Sequence, residues 1–334
     1  MAVTMRHVAE RAGVSVKTVS NVVTGYPHVR PQTRERVERA IAELGYQVNL
    51  SARSLRQGRT GIIGLALPEL SLPYFAELAD SVIRVAEQHG LVVLIEQTGA
   101  DRARELEVLH SERRRLTDGL LFSPLALEPD ETALLEVGYP LVLLGERIFD
   151  GPADHVTMAN VEGARAATTH LVERGCRRIA VLGAHEGERM GSAVLRLEGY
   201  RAALADAGLP FDPALVGPAG AWHRSTGAEA MARLLDTGAD VDGVFAMNDA
   251  LALGALHTLH LRRVAVPQEI AVIGFDDVDD ARYSQPPLSS VSPGREQIAR
   301  TAVQLLVERI AGSVVAPRRV VADFEVAARE STAR

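Results

Sequence analysis

"HVAERAGVSVKTVSNVVTG", residues 7–25, reads as two short helices broken at one glycine. The first, over Met5–Ala12, sets Val8, Ala9 and Ala12 on one side, and Thr4 can cap its start. Gly13 supplies the left-handed conformation that lets the chain turn. Ser15 can cap the second helix, over Val16–Val23, whose Val19, Val22 and Val23 recur at helical spacing and should face inward. Lys17, Thr18, Ser20 and Asn21 fall on a side those valines leave free. A third helix starts near Pro31, where proline suits the first turn. Its stripe is Val37, Ile41 and Leu44, and Gly45 ends it. Three short helices with a tight turn between the first two predict a helix-turn-helix unit.

Charge points the same way. Residues 1–60 hold ten Arg or Lys and four Glu, a net +6, whereas the 334-residue chain is −7, so residues 61–334 carry −13. A basic head on an acidic body suggests a nucleic-acid partner for the head. The major groove of B-DNA admits one helix, and base edges are read near that helix's N-terminus. Val16, Lys17 and Asn21 fall there, with valine suited to a thymine methyl, lysine to guanine and asparagine to adenine. An ordinary three-helix bundle with a solvated face is the plainer alternative.

"TMRHVAERAGVSVKTVSNVVTG" with "TRERVERAIAELGYQVN" resembles the head of the LacI/GalR family of bacterial transcriptional regulators. The resemblance implies base reading by Val16, Lys17 and Asn21. The full set expected at DNA from the head is Thr4, Ser15, Val16, Lys17, Thr18, Ser20, Asn21, His28 and Thr33. The chain departs from the family pattern at three places. His7 stands where aspartate is usual, which predicts that a capping box is missing. Arg30 replaces a serine cap, and Val48 a proline.

Residues 49–61, "NLSARSLRQGRTG", have a helical pattern with almost no apolar surface, so the segment alone should be marginal. The resemblance implies a hinge helix that pairs with a second copy in the minor groove. In that reading Leu55 wedges between base pairs, Ala52 allows close approach, and Arg53 meets phosphate with Arg56 and Arg59.

From Gly61 the pattern changes. Apolar runs "IIGLALP", "LVVLIEQ", "GLLFSP", "LVLLGE", "RIAVLGA", "GVFAMND" and "EIAVIGFDD" alternate with amphipathic helical segments such as Phe75–His89 and Gly163–Arg174. Buried strands alternating with helices predict parallel sheets with crossovers, here two α/β subdomains, each doubly wound. Ligands in such sheets bind beyond the carboxyl ends of the strands, which places a site in a cleft between lobes.

No P-loop, G-x-G-x-x-G or G-x-S-x-G occurs, and His185-Glu186 is not part of H-E-x-x-H. The single cysteine, Cys176, excludes an intrachain disulfide and reads as structural. "FDDVDD", Phe275–Asp280, lacks calcium-loop spacing, so no metal is expected. No cofactor and no enzymatic activity are expected either. The N-terminus lacks a basic stretch followed by an apolar run, and no apolar stretch reaches membrane-spanning length. A cytoplasmic, bacterial protein is expected, nucleoid-associated when bound to its operator.

Asn248 and Asp276 each close a strand, Arg196 follows a loop, Trp222 is the only tryptophan, and Tyr74 and Phe75 follow the first strand. Carboxylate, amide, guanidinium and an aromatic face together suit a hydroxyl-rich ligand. "PYFAEL", "RLEGY", "FAMNDALALGAL" and "IAVIGFDD" extend the family resemblance to a periplasmic-binding-protein-like sensor. It implies effector contact by Tyr74, Phe75, Arg196, Trp222, Asn248 and Asp276. Gly145 stands where some sugar-binding relatives have aspartate, and Glu146 is a substitute.

The expected domains are 1–48 for the DNA-binding head, 49–60 for the hinge helix and 61–334 for effector binding and dimerisation. Within the last, the resemblance implies an N-terminal subdomain of about 61–159 with 290–320, and a C-terminal one of about 160–289 with 321–334. No heptad segment follows "FEVAARESTAR", so a homodimer is expected. The function expected is a repressor released from a palindromic operator by a sugar inducer. A purine-type corepressor, a solute-binding module without regulatory work, and a carbohydrate enzyme using Glu146 with Asp276 are the alternatives.

Overall fold

The computed structural model describes residues 3–23, 26–46, 59–185 and 187–334. The chain divides into two compact units, Met1–Thr60 and Gly61–Arg334.

The first unit holds α1 (Met5–Ala12), α2 (Val16–Val23) and α3 (Pro31–Leu44), with Gly13 and Gly45 left-handed at their ends. Val8, Ala12, Val19, Val22, Val37 and Ala40 form its core, flanked by the partly buried Val23, Ile41 and Leu44. Tyr46, outside the expected stripe, closes this core. Ser15 Oγ accepts the Thr18 amide at 3.1 Å, as a cap should. The expectation of a missing capping box is corrected: His7 Nδ1 accepts the Thr4 amide at 3.3 Å, because an imidazole nitrogen can do what a carboxylate does there. Arg30 makes no side-chain cap, while Arg34 donates to the Tyr26 carbonyl at 2.9 Å and pins the α2–α3 loop. The hinge residues Ala52, Arg53 and Leu55 lie outside the described residues.

The second unit runs β1 (Ile62–Leu67), α4 (Pro73–Gln88), β2 (Val92–Gln97), α5 (Arg102–His110), β3 (Leu120–Phe122), β4 (Leu141–Leu144) and β5 (Asp154–Met158). It continues through α6 (Asn160–Glu173), β6 (Ile179–Ala184), α7 (Ser192–Asp206), β7 (Val216–Pro218), α8 (Arg224–Asp236), β8 (Gly243–Ala246) and α9 (Asp249–Leu261). Last come β9 (Ala271–Phe275), α10 (Asp279–Tyr283), β10 (Ser289–Ser292), α11 (Arg295–Ile310), β11 (Arg319–Ala322) and β12 (Glu325–Ala327).

Two six-stranded sheets result, ordered β11-β5-β4-β3-β1-β2 and β12-β10-β9-β8-β6-β7. All pairings are parallel except that of β12 with β10. In each sheet the first strand, β1 or β6, lies between its second and third, so the winding reverses there. That reversal opens a crevice at the strands' carboxyl ends. The central strands are buried along their length, which is why they read as continuous apolar runs.

The chain leaves the first sheet after Met158, returns after Ser292, and crosses again after Ala322. The last two passages fall a few residues later than 290 and 320. Ser289–Val291 still pairs with β9, and Val321–Ala322 still pairs with β5. At the edge of the first lobe, Asp154 is fully buried and ties β5 to Arg309 of α11 and to Arg318 beside β11.

Candidate effector cleft and DNA-facing helix

In the head, Ser15, Val16 and Lys17 are exposed at the N-terminal turn of α2, while Thr18, Ser20 and Asn21 are half-buried. Thr4 and His28 are exposed, and Thr33 is half-buried at the start of α3. His28 meets Tyr26 edge to face at 5.4 Å. The face therefore combines a helix N-terminus, hydroxyls and a lysine, groups that contact phosphates and base edges.

In the body, a cavity of about 640 Å³ opens between the two lobes, and all seven expected effector residues line it. The strand ends place them. Tyr74 and Phe75 sit in the first turn of α4, after β1. Glu146 follows β4 through Gly145, whose φ of +91° suits glycine. Asn248 and Asp276 follow β8 and β9. Arg196 belongs to the second turn of α7 rather than to a loop end.

Arg196 is buried and gives a hydrogen bond from each of its three nitrogens. Its Nε donates to Asn160 Oδ1 at 2.7 Å, its Nη1 to the Met247 carbonyl, and its Nη2 to Met158 Sδ at 3.1 Å. Its guanidinium lies 3.6 Å from the Phe275 ring centre and 5.3 Å from that of Trp222. Asp276 stands 3.8 Å from Arg196 Nη2, is buried, and has a positive φ of 114° rare for a non-glycine residue. Burial lifts its carboxyl to about 7, opposed by Arg196 and Arg295 and reinforced by Glu146 and Glu77. Burial also pushes the Tyr74 hydroxyl up and lowers the Arg196 guanidinium.

Asn248 is committed to structure: its Oδ1 caps α9 through the Leu251 amide at 2.8 Å, and its Nδ2 reaches the Trp222 carbonyl at 3.2 Å. Trp222 is held by its Nε1 on the Gly183 carbonyl at 2.9 Å. The indole face rather than its N–H is thus what the cavity meets. Glu146 accepts from Ser192 at 2.7 Å and from Thr157 at 3.3 Å, so it is tied to both lobes.

Sequence reasoning missed a ring of cross-cleft contacts. Arg147 Nη1 lies 3.2 Å from Glu188 Oε1 and donates to the Met190 carbonyl at 2.5 Å. His223 Nε2 lies 3.2 Å from Glu69 Oε2, and the Asp279 amide donates to Glu77 at 2.9 Å. His185, which also lines the cavity, faces Glu188, and that carboxylate raises its pKa. The strand-end rule that found Asn248 points to His185 as well, directly after β6. Nothing local pairs Glu69 with His223. Among the described residues, no three His, Cys, Asp or Glu side chains converge as a metal site, and no helix is long and apolar enough to cross a membrane. Cys176 is buried and its thiol is pushed up to about 11 by that burial.

A helix-turn-helix head and a two-lobed sensor with a cleft at its strand ends define a ligand-sensing DNA-binding regulator. The model of the lacI family of bacterial regulatory proteins matches residues 4–49, and that of a periplasmic binding protein-like domain matches residues 168–332. The HTH-type transcriptional regulator CelR of Thermobifida fusca is 36% identical, over 98% of each chain. A solved LacI-family protein from Sanguibacter keddieii is 55% identical, with a TM-score of 0.77 over 83% of this chain and all of that one. A solved CelR–cellobiose complex is 34% identical, with a TM-score of 0.73 over 98% of this chain and 99% of that one. The chain belongs to the LacI family of bacterial transcriptional regulators.

Proposed function

We propose that the protein is a homodimeric repressor that binds a pseudo-palindromic operator and is released from it by a sugar. A cavity fringed by buried acceptors and an indole face carries the effector half of this reading. The cellobiose complex of a relative supports a sugar of one or two rings. Tyr74, Phe75, Glu146, Arg196, Trp222 and Asp276 shape the site, with Asn248 holding the Trp222 loop. Val16, Lys17 and Asn21 read base edges in the major groove, while Thr4, Ser15, Thr18, Ser20, His28 and Thr33 contact the flanking backbone. Leu55, with Ala52 and Arg53, kinks the centre of the site. The domain division is 1–48, 49–60 and 61–334. One head reads one half-site, so two copies related by two-fold symmetry read a palindrome. The protein acts in the cytoplasm, where its operator lies.

Effector binding shifts the lobes, and the coupling is reciprocal: operator lowers sugar affinity by the factor that sugar lowers operator affinity. Selection from random DNA by the full-length protein without effector tests the reading. Enrichment of a palindrome whose complex dissociates with a sugar is the expected result. Enrichment that appears only when a purine is added replaces the inducer with a corepressor, and none under either condition rejects the regulator reading.

A further inference from the structure

We infer that the cleft selects by charge, taking an uncharged hydroxyl-bearing carbohydrate and rejecting the uronic acid and phosphate of the same sugar, with Glu146 enforcing the choice. This rests on the proposed reading of the cleft as a carbohydrate effector site. The two arginines among the described lining residues are both held by partners within the protein. Arg196 gives one hydrogen bond from each nitrogen to the protein, and its guanidinium lies over the Phe275 ring. Arg147 is held by Glu188 and the Met190 carbonyl. The two lining histidines each face a carboxylate, His185 facing Glu188 and His223 facing Glu69. The lining carboxylates, Glu69, Glu146, Glu188 and Asp276, outnumber the two arginines, so an added anion meets net negative charge.

Acceptors are in surplus. Glu146 is buried and receives one hydroxyl on each oxygen, which leaves lone pairs on both. Asp276 is buried with its nearest cation 3.8 Å away, beyond hydrogen-bond length. The buried side chains of this cleft therefore accept hydrogen bonds that a sugar hydroxyl can donate. A carboxylate or phosphate donates little and brings like charge into a site of low dielectric, where repulsion is poorly screened. Burial lifts the Asp276 carboxyl, and Glu146 and Glu77 add to that lift against Arg196 and Arg295.

Titration calorimetry on the full-length protein tests the inference with glucose, cellobiose, maltose and lactose, each beside its uronic acid and its 6-phosphate. At least one neutral sugar should bind, its two charged counterparts about tenfold or more weakly. In Glu146→Gln, shown to be folded by retained binding to the selected operator, that gap should shrink to a few-fold. A charged sugar that binds as tightly as its parent, or a gap unchanged in Glu146→Gln, overturns charge selection and leaves the carbohydrate effector standing. Binding of none of these sugars overturns the carbohydrate reading, and the inference falls with it.

Discussion

Asp276 shows how one residue joins the end of a strand to the cleft. It ends β9 in a backbone conformation that costs energy outside glycine, and it is buried beside Arg196, Arg295, Tyr74, Glu77, Glu146 and Asp249. Its carboxyl sits at about 7 instead of 3.8. A carboxyl raised on folding stabilises most below its unfolded value, and that contribution is lost as pH rises from about 4 to about 7. The loss is on the order of a few kcal/mol. Asp276→Asn cannot ionise, so its denaturation midpoint should fall less than that of the wild type between pH 5 and pH 8. Urea titrations at both pH values measure this, and equal losses would place the ionisation elsewhere, with the neighbouring buried Asp249 the next candidate. The same variant should lose sugar response and keep operator binding. A polar side chain ending an apolar run announced Asp276 and Asn248 in the sequence. The structural duty of Asn248 was hidden, because its partner Trp222 is 26 residues away.

At the scale of elements, the three head helices were legible to the residue, since caps, glycines and valine spacing act within one or two turns. Short strands were harder. Seven apolar runs marked seven strands, whereas β5, "DHVTM", and β7, "VGP", carry no such run and owe their pairing to neighbouring strands. The sequence reading also began two helices late. α4 starts at Pro73 and α6 at Asn160, where polar or proline residues precede the apolar stripe. Ser15 tests whether the local signals are also energetic. Its Oγ satisfies the Thr18 amide, an orphan donor of the first turn of α2. Ser15→Ala should cost about 1 kcal/mol of head stability. Faster native-state hydrogen exchange at the Thr18 and Val19 amides, with the body's amides unchanged, is the expected reading. Unaltered exchange would mean that the valine core alone holds α2.

At the scale of the molecule, the two lobes of the body share three chain crossings, after Met158, Ser292 and Ala322, and such connections allow hinge motion. What opposes opening is a set of polar contacts across the cleft: Arg147 with Glu188, Ser192 with Glu146, Glu69 with His223, and the Asp279 amide with Glu77. None was legible in the sequence, because each joins residues from different sheets and the sequence fixes only their nearness to strand ends. Arg147 makes two such contacts, being only a fifth exposed and bonded to both a carboxylate and a carbonyl. A ligand held between lobes benefits from whatever keeps them closed, by the differential free energy of the closed and open forms. Arg147→Ala should therefore weaken sugar binding about tenfold, chiefly through faster release, while operator affinity without sugar changes less than about threefold. Stopped-flow dissociation of the sugar, followed by Trp222 fluorescence, gives the rate, and operator titration gives the control. An unchanged release rate would move the closing force to the Glu69–His223 pair, where Glu69→Ala should then speed release in the same measurement.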